Sequence, residues 1–137
     1  MLWFGGALWP ILVLCAGLYI LDYYLTIAGA KLYRAGAQQM IVYEGSYELT
    51  PQFQNDVDQL RLVSKRFIWA LVRMLILLSL VWWLALQANI PQLLSAYLGV
   101  FVGVELAIQK RHLQNLFFFR AITQPVRQWV KSSILAP

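Results

Sequence analysis

The stretch Lys65–Gln87 constrains this chain most. From Phe67 to Leu86 every residue is apolar except Arg73 and Ser79. A span over 67–88 covers about 33 Å at about 1.5 Å per residue, enough to cross a hydrocarbon core of about 30 Å. Lys65 and Arg66 precede the run, and Trp82 and Trp83 stand near its other end. A basic flank and an aromatic belt are what a membrane helix places at its two interfaces. Ser64 stands where an N-cap belongs. Arg73, about 10 Å below the basic end, must snorkel or find a partner.

Two more spans follow from the same reasoning. The first covers about 9–33, with Pro10 in its first turn and Trp3 and Trp9 at an interface. The third covers about 91–108 and is joined to the second by a short uncharged loop, so these two are antiparallel neighbours. In the third, Ser95, Gly99 and Gly103 recur every fourth residue. This small-xxx-small pattern lets helix backbones approach closely, either within one chain or between subunits. Glu105 lies on nearly the opposite face, about 200° round from Gly103.

Between the first two spans lies the one sizeable polar segment, 34–66. Thr50-Pro51 reads as a helix start, and Phe53, Val57 and Leu60 mark one apolar stripe of an amphipathic helix over about 51–63. From Gln109 the chain is basic and aromatic. The third helix is expected to run past the bilayer and end at Pro125, with a further amphipathic piece in the tail 109–137.

Composition supports the membrane class: 61% of the residues are apolar and 12% charged, far from soluble averages. The net charge of +5 flanks the spans and forms no basic face, which argues against nucleic acid and for an anionic lipid surface. Cys15 is the only cysteine and His112 the only histidine. An internal disulfide and a Cys- or His-based metal cluster within one chain are thereby excluded. Cys15, inside an apolar run, reads as a packing residue. The apolar amino terminus has no basic n-region and no small-x-small cleavage site, so it is read as retained. Lys31, Arg34, Arg61, Lys65 and Arg66 fall between spans one and two; Lys110, Arg111, Arg120, Arg127 and Lys131 follow span three. The positive-inside rule therefore puts the amino terminus outside and the carboxyl terminus in the cytoplasm.

This orientation brings Asp22, Arg73 and Glu105 to similar depths in the cytoplasmic half, about 13, 10 and 7 Å from the basic ends. Each costs about 2.5–3.5 kcal/mol near the membrane centre if left alone. The expected constellation is an intramembrane charge network of Asp22, Arg73 and Glu105, with Thr26 and Tyr19 as hydrogen-bonding neighbours. Thr26 shares a helical face with Asp22. Arg73 is expected to pair with one acid. The network reads either as structural glue or as a proton relay or polar site. Glu44, Glu48, Asp56 and Asp58 form an acidic set in the polar segment, readable as solvated loop or as oxygen ligands for a divalent cation, although their spacing matches no calcium loop. No HExxH, phosphate-binding glycine loop or GxSxG is present, and no motif identifies a cofactor or a metal site.

Asp22-x-x-x-Thr26, then Tyr47-Glu48-Leu49-Thr50-Pro51, then Lys65 before a second span, resembles a family of small uncharacterised three-span prokaryotic membrane proteins. Those carry an Asp-x-x-x-Thr helix and a Glu-x-Asn-Pro turn; Thr50 stands here in place of the Asn. The likeness covers roughly residues 18–108. It implies a prokaryotic inner (plasma) membrane and a shared importance of Asp22, Thr26, Glu48 and Pro51, with Glu48, Thr50 and Pro51 forming a cytoplasmic turn. It implies no activity.

The expected fold is all-α: a polytopic membrane protein, one membrane domain over 1–137, with three transmembrane helices, a cytoplasmic amphipathic helix and an amphipathic tail. The expected partners are the lipid bilayer and either itself or other membrane subunits. The expected function is non-enzymatic assembly within the membrane, as a homo-oligomer or as an accessory subunit of a larger complex. The alternatives are a small oligomeric channel or proton-coupled transporter using Asp22 and Glu105, and a lipid head-group enzyme at the cytoplasmic face. Orientation is directly testable. In a Cys15→Ala background, Asn89→Cys should react with an impermeant thiol reagent in intact cells, and Ser132→Cys only after lysis. The reverse labelling pattern would overturn the orientation.

Overall fold

The computed structural model describes residues 8–41 and 51–135, with side chains to Thr123. Four α-helices follow in order: α1 Leu8–Arg34, α2 Pro51–Asp58, α3 Lys65–Gln87 and α4 Pro91–Leu135, with one 3₁₀ turn at Ala37–Gln39. No strand occurs among the described residues. Leu8–Arg34, Lys65–Gln87 and Pro91–Thr123 are each long and apolar enough to cross a membrane. The protein is an all-α, multi-pass membrane protein.

Two compact units divide the chain: Met1–Tyr23 with Val63–Gln109, and Tyr24–Leu62 with Lys110–Pro137. The second divide falls where the apolar part of α4 gives way to Lys110 and Arg111. In the first unit Ile11 and Cys15 of α1, Leu78 and Ala85 of α3, and Leu94 and Leu98 of α4 form a buried cluster. Spacings of four and seven residues put each pair on one helical face. Cys15 is completely buried there, in the packing role its apolar context predicts. Trp82 packs against this cluster, whereas Trp83 is half exposed. The two tryptophans thus do different work, one filling the core and one facing outward. Among the described residues of the second unit the largest buried side chain is Phe119, whose ring meets Tyr33 at 5.8 Å. Thr123 Cγ2 would lie 3.1 Å from a Cβ at Gly36, so this approach admits little beyond glycine.

Caps set most of the boundaries. The Ser64 hydroxyl accepts from the Arg66 and Phe67 amides at 3.1 and 3.3 Å, which starts α3 where the sequence predicts. At the other end, Asn89 has φ of 54°. Its amide donates to the Leu86 carbonyl, and the Ile90 amide to that of Ala85. This is a Schellman cap, in which a left-handed residue lets the last carbonyls find donors. Pro91 then opens α4.

Two boundaries depart from expectation. The amphipathic helix expected over 51–63 stops at Asp58. Leu60 takes φ of 51°, and the amides of Leu60 and Arg61 donate to the carbonyls of Val57 and Asp56, a second Schellman cap. Asparagine visits this conformation readily and leucine does not, so nothing local in the sequence marks the stop. Conversely, α4 runs through Pro125 to Leu135. A proline removes one backbone bond, but the neighbouring turns can hold the helix together. The Thr123 hydroxyl donates to the Phe119 carbonyl at 2.8 Å one turn earlier. Its 45 residues extend about 68 Å, twice the hydrocarbon thickness.

The Asn89 cap makes a prediction. Asn89→Val should lower stability by about 1–2 kcal/mol, because a β-branched residue resists the left-handed region, while Asn89→Gly should hold or slightly raise it. Thermal unfolding in mild detergent, followed by circular dichroism, checks this. Equal melting of the two variants would contradict the cap.

Candidate functional site

The first unit gathers the intramembrane polar groups. Tyr19 and Asp22 come from α1, Arg73 from α3, and Glu105 and Gln109 from α4. On α4 the inward face runs Leu94, Leu98, Phe101, Glu105, Gln109, spaced by three or four residues. Apolar packing at its start therefore carries Glu105 and Gln109 inward. Glu105 is 8% exposed and Gln109 6%. The Gln109 amide donates to the Leu18 carbonyl of α1 at 3.0 Å. Glu105 Oε2 is buried with no hydrogen-bond partner.

Electrostatics link these residues. Asp22 lies within electrostatic range of Glu105, and Glu105, Asp22 and Arg73 lie within range of Tyr19. The Tyr19 ring stacks on Phe67 with centroids 5.6 Å apart, and Tyr23, one turn later, stacks on the same ring at 4.1 Å. Phe67 opens α3 just after its cap, so this stack ties α1 to the start of α3. The sequence signal for it is Tyr19 and Tyr23 at i, i+4, a spacing equally met in helices without such a stack.

The expected pairing of Arg73 with an acid is not what the structure shows. Arg34 pairs with Asp58 at 3.5 Å and Arg61 with Asp56 at 3.4 Å. Arg73 is in neither, and its side chain lies on the exposed face of α3. The reason is rotational. The buried residues Phe67, Leu78 and Ala85 set the inward face of α3, and Arg73 falls on another side.

Thr26 belongs to the second unit. It is buried, and its Oγ1 lies 3.2 Å from His112 Nε2. Sequence spacing placed Thr26 with Asp22; helix packing in its own unit gives it His112. That histidine is half-buried.

Of the acidic set, Glu44 and Glu48 lie outside the described residues, as does Thr50. Pro51 begins α2. Asp56 is 2% exposed and bonded to Arg61, which the Schellman turn folds back over the helix end; Asp58 meets Arg34. Two of the four carboxylates are thus engaged by arginines. Among the described residues no group of three or more His, Cys, Asp or Glu could hold a metal ion.

Ser95, Gly99 and Gly103 are exposed on α4. A Cβ at either glycine would meet no heavy atom within 4 Å. The Ser95 hydroxyl donates to the Pro91 carbonyl at 3.2 Å, leaving this face without an unmet donor. Among the described residues, nothing packs closely against the two glycines.

The two polar elements differ in what they should cost. Arg73→Ala should change stability by less than about 1 kcal/mol, since no ion pair is lost. Thr26→Val removes the buried Oγ1 contact with His112 and should cost about 1–3 kcal/mol. Thermal unfolding of the purified variants decides, and a larger loss for Arg73→Ala would mean that the arginine is bound after all. No family model, curated protein or solved structure matches this chain.

Proposed function

We propose that this protein acts by assembling within the membrane, pairing with a second copy of itself through the Ser95, Gly99 and Gly103 face of α4. One observation carries the reading. A small-residue stripe costs packing area unless something approaches it closely, and here the chain's own helices leave it open. Two such faces are self-complementary: a two-fold axis sets the same residues against each other, and small side chains allow the close backbone contact that drives association in lipid. Val100 and Val104, 68% and 52% exposed, flank the stripe and supply the apolar rim. The expected setting is a plasma membrane of prokaryotic type, amino terminus outside and carboxyl terminus cytoplasmic. The basic residues that flank the spans are suited to the anionic inner leaflet.

The open space around the glycines makes the test clean. Gly99→Leu with Gly103→Leu should leave the fold of one chain intact and abolish self-association. Analytical ultracentrifugation in mild detergent and cross-linking in native membranes measure the size; circular dichroism confirms the helices. A size unchanged from wild type would refute the stripe as the contact. A wild-type chain that is monomeric alone but co-purifies with a different membrane subunit would transfer the face to an accessory role.

A further inference from the structure

We propose that Glu105 is a reversible proton-binding site in the membrane-spanning part of the chain. This stands apart from self-association, because Glu105 lies on the face of α4 turned toward α1, away from the Gly99 and Gly103 stripe.

The geometry is that of a carboxyl enclosed by its own chain. Glu105 is 8% exposed, and Oε2 is buried without a hydrogen-bond partner. An ionised carboxylate removed from water needs donors or a counter-charge. No donor reaches Oε2, and no positive charge acts on Glu105 from its neighbours. From α1 come Cys15, Tyr19 and Asp22, and Asp22 bears the same sign of charge. On α4, the Gln109 amide one turn away is committed to the Leu18 carbonyl. From α3, Arg73 is exposed and in neither ion pair. A proton satisfies the site within the space available: it removes the charge and gives the carboxyl a donor of its own. Two nearby carboxyls with no third His, Cys, Asp or Glu beside them among the described residues suit a proton better than a multivalent cation, which needs about six oxygens. Glu105 stands five residues before Lys110, about 7 Å along the helix from the basic end, so exchange with the aqueous phase crosses little more than one turn.

The experiment uses the full chain in liposomes and the apolar reagent dicyclohexylcarbodiimide. A protonated carboxyl passes its proton to a carbodiimide nitrogen, and its oxygen adds to the central carbon. The adduct rearranges to a stable N-acylurea, which mass spectrometry locates on the peptide. Glu105 should carry the label near neutral pH. Labelling should fall about tenfold per pH unit once the carboxyl ionises. A water-soluble carbodiimide should leave Glu105 unlabelled, and Glu105→Gln should abolish the adduct while keeping the helices. Should that variant fail to fold, the pH profile of the wild-type protein still decides. Absence of label on Glu105 from about pH 6 to about pH 9, in protein of unchanged helix content, would overturn the proposal. So would labelling that sodium suppresses at constant pH, because the carboxyl would then bind a metal cation.

Discussion

A polar atom in hydrocarbon has to find its partner inside the protein, because no water is there to supply one. Most of this chain follows from that constraint. Ser79 and Ser95 turn their hydroxyls back onto the carbonyls of Leu75 and Pro91, which hides them within their own helices. Gln109 reaches across to the Leu18 carbonyl. Ser64 covers two amides at the start of α3, and the Asn89 turn covers carbonyls at its end. With the helix ends and hydroxyls satisfied, apolar packing alone decides which faces meet. It puts Cys15, Leu78 and Leu94 in one cluster. Glu105 Oε2 and Trp82 Nε1 are among the exceptions in the described residues. The indole lies against an apolar cluster, where lost hydrogen bonding is offset by buried ring area. The carboxyl has no such offset.

The sequence shows clearly what depends on short-range pattern. The three spans, the Ser64 cap, the packing role of Cys15 and the opposition of Glu105 to Gly103 follow from hydropathy and from 100° per residue. The missed features depend on a helix's rotation about its own axis or on a single left-handed residue. Depth along the membrane brought Asp22, Arg73 and Glu105 to one level but is blind to direction. Two residues at equal depth on different faces do not meet, which is why Arg73 ends on the exposed side of α3. Asp56 shows the reverse error. As an aspartate in a polar segment it reads as solvated, yet it is buried beside Val57, because the turn at Leu60 folds Arg61 back to it. Pro125 reads as a stop on local propensity, a weak prior in a helix held by its neighbours.

The separation of faces on α4 has a consequence for how the carboxyl can work. In a channel made by several copies, ionisable groups line the axis that the copies share. A contact through Ser95, Gly99 and Gly103 places those three residues on that axis. Glu105, nearly opposite Gly103 and turned toward α1 of its own chain, is then held away from it. Its surroundings are Tyr19, Asp22 and Gln109 of the same chain, so each copy carries a complete carboxyl site. Binding of a proton there changes the charge between α1 and α4 rather than the charge of a shared pore. Loss of a buried negative charge beside Asp22 removes a repulsion between these helices. The proposed self-association on one face of α4 and the proposed proton uptake on the other are thus separable, linked only through the helix that carries both faces.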